Sequence, residues 1–184
     1  MIREINPDNH YHVIGETLSV VVAEVPYQAE QQALQTMLPG VRSLTACLLT
    51  NQHSCPLEIA HPMLQHMVLH GPRLSTFRFA TLQQLRTQLQ TLVLSGCLSV
   101  KQLPVDMSQL TAVTTLDLRD CRALARLPES IGQLAVLKTL NLSHCSSLTG
   151  LPESTGQLAA LTMLNLRSCR SLTGLPESMG QLAA

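Results

Sequence analysis

The second half of the chain repeats one hydrophobic pattern four times without a gap. From Leu89 to Ala184 the sequence divides into four stretches of 24 residues, here called units 1 to 4, each with apolar residues at positions one, four and six. In unit 2 (Val113–Val136), Leu116 and Leu118 alternate with polar side chains at 115, 117 and 119. Alternation with a period of two predicts a half-buried strand whose leucines point inward. The four units predict strands that include Leu92–Leu94, Leu116–Leu118, Leu140–Leu142 and Leu164–Leu166.

The remainder of each unit predicts a short return path to the next strand. In unit 2 the path carries four inward apolar anchors, which are Leu124, Leu127, Ile131 and Leu134. Pro128 has a fixed φ that suits the start of a helical turn, and Glu129 follows where its charge suits the helix dipole. Gly132 interrupts the segment, so we expect only one or two turns of α or 3₁₀ helix. One unit cannot bury its own leucines, whereas stacked units form a continuous core and pair their strands into a parallel sheet.

The repeated phrase resembles a known family. Its consensus, LxxLxLxxCxxLxxLPESxGQLxxL, is similar to the plant-type intracellular leucine-rich repeats of disease-resistance receptors and related Ras-interacting proteins. The resemblance implies an α/β leucine-rich-repeat solenoid, a right-handed arc with a parallel β-sheet on its concave face and short helical or 3₁₀ turns on its convex face. It covers the last 96 residues and none of the first 88. The matched positions are the buried ones, so the resemblance indicates little about a partner.

The first 88 residues carry a less regular pattern. Valine-rich or alternating stretches predict strands at Leu18–Val25, Val41–Leu49 and Arg73–Ala80, and the second resembles a decayed repeat start. Apolar stripes predict a helix over Tyr27–Leu38 and another from Pro62 to His70. We therefore expect two parts, residues 1–88 and 89–184. The first part is interpreted either as irregular leading repeats that act as a cap, which we favour, or as an unrelated α/β cap.

The amino-acid composition limits the classes of partner and the cellular compartments that the sequence favours. Of 184 residues, 45% are hydrophobic but only 2% are aromatic, which favours a core of stacked leucines over one of large rings. The 12 basic and 12 acidic residues give a formal charge of zero, so bulk charge does not favour nucleic acid as a partner. No apolar run approaches the roughly 20 residues of a membrane span, and no secretory signal opens the sequence. We expect a cytoplasmic protein without a membrane span.

Position nine of every unit is a cysteine: Cys97, Cys121, Cys145 and Cys169. On parallel strands roughly 4.8 Å apart, side chains at equivalent positions point in parallel, which disposes their Cβ atoms poorly for a disulfide. Ligands in such a line also lack the convergence that zinc requires. We predict instead a ladder of buried thiols whose S–H groups donate weakly to backbone carbonyls where the strand turns.

The sequence lacks common motifs of catalysis and nucleotide binding. It contains no phosphate-binding glycine loop, no H-E-x-x-H and no G-x-S-x-G, so we expect a protein that is not an enzyme and carries no cofactor. His66 and His70 are four residues apart and would share a helix face, a spacing that can bind metal. Because no third ligand accompanies them, we favour two ordinary helix histidines and predict no metal site. The glutamates of the repeated Pro-Glu-Ser phrase indicate turn chemistry on the convex face rather than catalysis.

The candidate functional residues lie at or just beyond positions three, five and seven of each unit, which are predicted to face outward. These positions vary between units while the leucines do not. A rigid, shallow, polar surface suits a protein or peptide better than a small molecule, which requires a deep apolar pocket. A solvated face without a partner is the alternative. The residues predicted to bind a partner on the concave face are Thr115, Asp117, Arg119, Asn141, Ser143, His144, Asn165 and Arg167.

The pattern and the missing motifs together predict a non-catalytic protein–protein interaction module. The resemblance implies a role in intracellular signal transduction or defence. The alternative is that the repeats form the substrate-recruiting arm of a larger ligase or signalling enzyme, with catalysis elsewhere.

Unit 4 ends the printed sequence without a divergent polar closing repeat. The strand at Leu164–Leu166 is therefore expected to be an unpaired edge, with Leu161, Leu164, Leu172 and Leu175 partly open. Such edges pair with other chains. This predicts either self-association through the C-terminal edge or a place within a longer natural chain.

Overall fold

The described part of the chain forms one sheet whose nine strands follow one another in sequence order. The computed structural model describes residues 2–6, 9–14, 17–22, 41–48, 64–70 and 87–181. The strands β1 to β3 pair antiparallel, and each later pair of neighbours is parallel. The strands are β1 (Ile2–Asn6), β2 (Asn9–Ile14), β3 (Thr17–Val22), β4 (Ser43–Leu48), β5 (His66–His70), β6 (Thr91–Val93), β7 (Thr115–Asp117), β8 (Thr139–Asn141) and β9 (Met163–Asn165).

The strands of the four regular units share one register. The residues at position three are aligned partners across β6 to β9, as a constant period requires. Each strand begins one residue earlier than predicted and ends before the second leucine of its unit. Backbone pairing nevertheless continues past the strand ends, because the Leu94 amide donates to the Asp117 carbonyl at 2.8 Å. The predicted parallel sheet is confirmed, with its strand boundaries shifted by one residue.

Alternation along the strands separates a buried leucine face from a polar one. Leu116 and Leu118 are both 0% exposed, as are Leu140 and Leu142 in the next unit. Taking one leucine side chain out of water contributes roughly 1.5–3 kcal/mol, so the stacked leucines supply much of the stability. The four return-path anchors predicted in unit 2 are also buried, at 6% exposure or less. The inward positions predicted for units 1 to 3 are thus confirmed.

Each return path contains one short 3₁₀ helix. The helices are Met107–Gln109, Glu129–Gln133, Glu153–Gln157 and Glu177–Gln181. Pro128 precedes the second helix as its N-cap residue, with φ −72°, and Glu129 occupies the first turn. Gly132 does not interrupt this helix but lies buried within it. A Cβ atom at Gly132 would collide with the backbone carbonyl of Ser154 in the next unit, so the close approach of consecutive helices requires glycine there.

The glutamates of the Pro-Glu-Ser phrase join consecutive 3₁₀ helices. The Ser154 amide donates to the Glu129 carboxylate at 3.4 Å, and the Ser178 amide donates to Glu153 at the same distance. These are long hydrogen bonds between exposed groups. They match the predicted role in turn chemistry and give the carboxylates a structural partner.

The strands β4 and β5 continue the register of the regular units toward the N-terminus. Ser43 aligns with His66 and His66 with Thr91, so Val41, Leu64 and Leu89 occupy equivalent positions before their strands. All three side chains are at most 1% exposed. The predicted repeat start at Val41 therefore aligns with the first positions of the regular units. The division into residues 1–88 and 89–184 stays a prediction.

The prediction of helix up to His70 is wrong over the last five residues, which form β5. Burial alternates along this strand, with Met67 at 2% and Leu69 at 1% exposure between half-buried neighbours. The apolar residues of this short run, which were interpreted as a helical stripe, follow the period of two of a strand. Strands predicted near Leu18–Val25 and Val41–Leu49 are confirmed over β3 and β4, whereas β1 and β2 were not predicted.

Two predicted elements lie outside the described residues. They are the helix at Tyr27–Leu38 and the strand at Arg73–Ala80. Among the residues that are described, no helix is long and apolar enough to cross a membrane.

Candidate partner-binding surface

The turns that follow β7, β8 and β9 are built by the polar side chain at position five. The Asp117 carboxylate accepts a hydrogen bond from the Arg119 amide at 3.0 Å. The side-chain oxygen of Asn141 accepts from the Ser143 amide at 3.1 Å, and that of Asn165 from the Arg167 amide at 3.0 Å. Asp and Asn favour turns because their side chains replace a backbone acceptor two residues on. Three predicted binding residues therefore also shape the backbone that carries the others.

Position eight of each unit adopts a left-handed backbone conformation. The φ angles are 69° at Gly96, 59° at Asp120, 63° at His144 and 62° at Ser168. This region is unfavourable for residues with a side chain unless the surroundings hold it. Here the neighbouring unit does so, because the His144 amide donates to the Arg167 carbonyl at 2.7 Å. The turn directs His144 into solvent, where the side chain is exposed.

The cysteines form the predicted ladder beneath these turns. The thiols of Cys121, Cys145 and Cys169 donate to leucine carbonyls of the preceding unit at 2.9, 3.2 and 3.1 Å. Burial raises the pKa of the Cys145 thiol to about 12. The hydrogen bond with the Cys97 side chain, followed by burial, raises the pKa of Cys121 as well. The four cysteines are free, which confirms a ladder of protonated thiols that anchors the turns.

The eight predicted binding residues are not equally accessible. Arg119, His144 and Arg167 are exposed, whereas Thr115, Asn141 and Asn165 are half-buried. Asp117 and Ser143 are each only 7% exposed. These two residues were predicted to face outward to a partner, but both are buried. The accessible part of the surface is therefore formed mainly by the two arginines and the histidine.

The arginines in the turns of units 2 and 4 differ in whether an acidic side chain lies beside them. Arg119 forms an ion pair with Asp117 at 2.8 Å, and the neighbouring Arg122 approaches Asp120 at 3.4 Å. In unit 4 the matching arginines are Arg167 and Arg170, but the matching acids are replaced by Asn165 and Ser168. Within the described residues, neither arginine of unit 4 has an ion pair. The positive charge of the surface is consequently concentrated toward unit 4.

The sequence reasoning missed one part of this surface. A cleft of about 220 Å³ opens beside His144 between the turns of units 2, 3 and 4. Its other lining residues are Arg122, Ser146, Ser168 and Arg170. Three of these lie at position ten, which varies between units as strongly as the strand positions do, and this variation was the available signal.

The two histidines considered for metal binding lie on β5, on the polar side of the sheet. His66 and His70 are separated along an extended strand by roughly 13 Å, since each residue adds about 3.3 Å. That separation rules out joint binding of one ion. His70 instead lies 2.8 Å from the Ser95 hydroxyl, through its Nδ1 atom. Among the described residues, no cluster of three metal-ligating side chains occurs.

The sheet edge at β9 exposes apolar side chains. Met163 is 57% exposed and Leu175 is 55% exposed. Leu164 and Leu172 are half-buried, whereas Leu161 is covered to 8% exposure. The predicted opening of the core along this edge is thus present at three of the four leucines named for it.

Comparison with known proteins supports the leucine-rich-repeat interpretation. The family model described as Leucine Rich Repeat matches residues 136–158, which is essentially unit 3. A comparison with curated protein sequences gives no match. The plant-type subtype implied by the sequence is not established by these matches.

Two solved structures share the fold. The leucine-rich repeat domain of the type III effector XopL superposes with a TM-score of 0.69 at 22% identity, over 92% of this chain and 66% of that one. A leucine-rich repeat protein of Leptospira interrogans superposes with a TM-score of 0.61 at 24% identity, over 91% of this chain and 46% of that one. This chain thus spans just under two thirds of the first structure and less than half of the second. The fold is a leucine-rich-repeat solenoid, a fold that generally mediates protein–protein interaction.

Proposed function

We propose that this protein is a non-catalytic interaction module whose concave sheet face binds another protein. The observation that carries the proposal is the line of exposed Arg119, His144 and Arg167 on turns fixed by side-chain and thiol hydrogen bonds. A preformed surface loses little conformational entropy on binding. The cleft beside His144, about 220 Å³, is smaller than the roughly 300–1,000 Å³ typical of small-molecule sites.

The proposal is tested with a partner obtained by affinity capture and then purified for a two-component binding measurement. Replacing Arg119 and Arg167 together by alanine is expected to weaken binding by about tenfold or more, since both are exposed cations of one surface. The matched control replaces Arg126 and Lys138, two exposed cations outside the turns that follow the strands, by alanine. Equal loss in both pairs would indicate a general charge effect, and loss only with Glu153→Lys would place the partner on the convex side.

We further propose that the interaction belongs to intracellular signalling or defence in the cytoplasm, with residues 1–88 capping the repeats. The similarity of the repeat phrase to plant-type intracellular repeats supports this role. The alternative is that the repeats recruit substrates for a larger ligase or signalling enzyme. The described XopL structure is one domain of an effector, which supports a place for such repeats within larger proteins. Expression of a tagged full-length protein and imaging in its native cells tests the compartment.

Self-association along β9 is proposed with a second copy of this chain as the occupant, and the alternative is that the chain belongs to a longer natural protein. The exposed Met163 and Leu175 provide apolar surface beside unpaired strand groups, an arrangement that favours pairing between chains. Sedimentation of the 184-residue chain at roughly tens of micromolar, a range in which exposed edges associate, is expected to show dimers. Leu175→Lys is expected to shift the chain toward monomer without unfolding it. A wild-type monomer throughout that range would contradict the proposal.

A further inference from the structure

The cleft beside the strand ends is lined by hydrogen-bond donors from three consecutive units. Arg122 lies in unit 2, His144 and Ser146 lie in unit 3, and Ser168 and Arg170 lie in unit 4. No carboxylate lines the cleft. Both arginines, the histidine and Ser168 are exposed, so their polar atoms are available to a ligand. The cleft volume of about 220 Å³ suits one small polar group.

The cleft carries a net positive charge even when the neighbouring Asp120 is counted. Asp120 approaches Arg122 at 3.4 Å and partly neutralises it. The side chains of that pair are 39% and 65% exposed, so solvent screens the attraction. Arg170 has no such acid, because Ser168 replaces the aspartate. An anion is therefore the ligand whose charge complements this cleft.

The backbone around the cleft is fixed before any ligand binds. The Asp120 amide donates to the Ser143 carbonyl at 2.9 Å, and the His144 amide donates to the Arg167 carbonyl. These bonds hold the left-handed residues of adjacent units side by side. The Cys145 thiol anchors the middle turn from below through the Leu118 carbonyl at 3.2 Å. The spacing of the three turns is consequently set by the solenoid.

We propose that this cleft binds a phosphate monoester carried by a side chain of the protein partner. The inference rests on the proposed interaction function and specifies the chemical group that the surface recognises. A phosphorylated side chain carries a charge of about −1.5 to −2 and three terminal oxygens. Donors from three units surround such a group from several directions. A carboxylate has two oxygens in a plane and pairs most effectively with a single arginine.

The geometry of the units supports this assignment. Strands two units apart are separated by roughly 9–10 Å, twice the spacing between neighbours. Arg122 and Arg170 thus start from opposite sides of the unit 3 turn, and both side chains line the one cleft. His144, Ser146 and Ser168 complete its lining. A dianion placed there contacts both arginines at once.

The test uses the isolated 184-residue chain, so it requires no partner. The probe is N-acetyl-O-phosphoserine N-methylamide, titrated into the ¹⁵N-labelled protein while backbone amide shifts are followed by NMR. Saturable shifts are expected at the cleft residues and not on the 3₁₀ helices. The unphosphorylated amide and an N-acetylaspartate amide are the comparison probes, and both are expected to bind at least tenfold more weakly than the phosphorylated one.

Replacing both Arg122 and Arg170 by glutamine is expected to weaken phosphoserine binding by at least tenfold, because two charge-assisted contacts are lost. The matched control, Arg126→Gln with Lys138→Gln, removes the same charge elsewhere and is expected to leave affinity within about twofold. Unchanged melting temperatures in both pairs show that the fold is retained.

Three outcomes would overturn the inference: equal weakening in both pairs, aspartate amide binding as tightly as phosphoserine, or inorganic phosphate binding more tightly than the phosphoserine amide. The last would identify a site for a free anion rather than for a modified side chain. If phosphoserine does not bind but the Arg119 and Arg167 substitutions still weaken the binding of a protein partner, the proposed interaction function is retained. Conversely, phosphoserine binding without any effect of that pair contradicts only the concave face as the partner surface.

Discussion

The turn of unit 2 (residues 117–122) and the turn of unit 4 (residues 165–170) have the same backbone, but the first is formally neutral and the second is positively charged. Asp117 and Asn165 each accept the amide two residues on at 3.0 Å. The residue at position eight has φ 59° in unit 2 and 62° in unit 4. The thiols at position nine donate to leucine carbonyls at 2.9 and 3.1 Å. The frame that carries the arginines is therefore the same in both units.

What differs is the charge that each frame carries. The turn of unit 2 contains two acids beside its two arginines, Arg119 and Arg122, and both of these arginines form ion pairs. Unit 4 keeps the arginines but has an asparagine and a serine in place of the acids. Asparagine preserves the hydrogen-bond acceptor that the turn requires while removing the negative charge. The comparison shows that this repeat can change its surface charge without changing its backbone.

The two units also differ in how the next layer covers them. Leu127 in unit 2 is 6% exposed, whereas its counterpart Leu175 in unit 4 is 55% exposed. Gly132 lies against the backbone of Ser154, whereas a Cβ at Gly180 would meet no atom of another unit among the described residues. Equivalent residues in different units are thus subject to different packing constraints. A residue of the repeat is constrained by the neighbouring unit as much as by its own.

The largest expected effect is the difference in stability loss when alanine replaces Gly132 and when it replaces Gly180. Gly132→Ala is expected to destabilise the protein by about 1–3 kcal/mol, because the added methyl group forces consecutive 3₁₀ helices apart. Gly180→Ala, the matched substitution in unit 4, is expected to change the free energy of unfolding by less than about 0.5 kcal/mol. Chemical denaturation of both variants measures the difference. Equal losses at the two positions would show that helix contact between units does not explain the glycine.

Much of this fold follows from the sequence because the buried positions repeat. The constant period fixed which leucines stack, and the leucine pairs of β6 to β8 are buried as predicted. The cysteine ladder also followed from the period, since equivalent residues on parallel strands point the same way. Position three of each unit aligns across the sheet for the same reason.

The other features could not be predicted from the sequence because they depend on contacts that the repeat pattern does not encode. The short run of β5 fits both a helical and an extended spacing, and pairing with β4 and β6 decides between them. Asp117 precedes a turn that contains a residue in the left-handed conformation. Glycine would indicate that conformation in the sequence, but Asp, His or Ser occupies the position in units 2 to 4. The cleft with Arg122 and Arg170 arises only when three units are placed side by side.

The smallest expected effect comes from exchanging the residues at position eight between the two turns. Asp120→Ser removes the acid beside Arg122, and Ser168→Asp places one beside Arg170, while both residue types already occupy this left-handed position. An exposed ion pair contributes about 0.2–1 kcal/mol, so the first variant is expected to tighten phosphoserine binding by about 1.4- to fivefold and the second to weaken it by a similar factor. Both variants are expected to keep the wild-type melting temperature, because neither changes the turn. The NMR titration measures both affinities, and raising the salt concentration is expected to reduce the difference between them, since these charges are screened by ions. Changes in the same direction for both variants would show that the acid at position eight does not control the charge of the cleft.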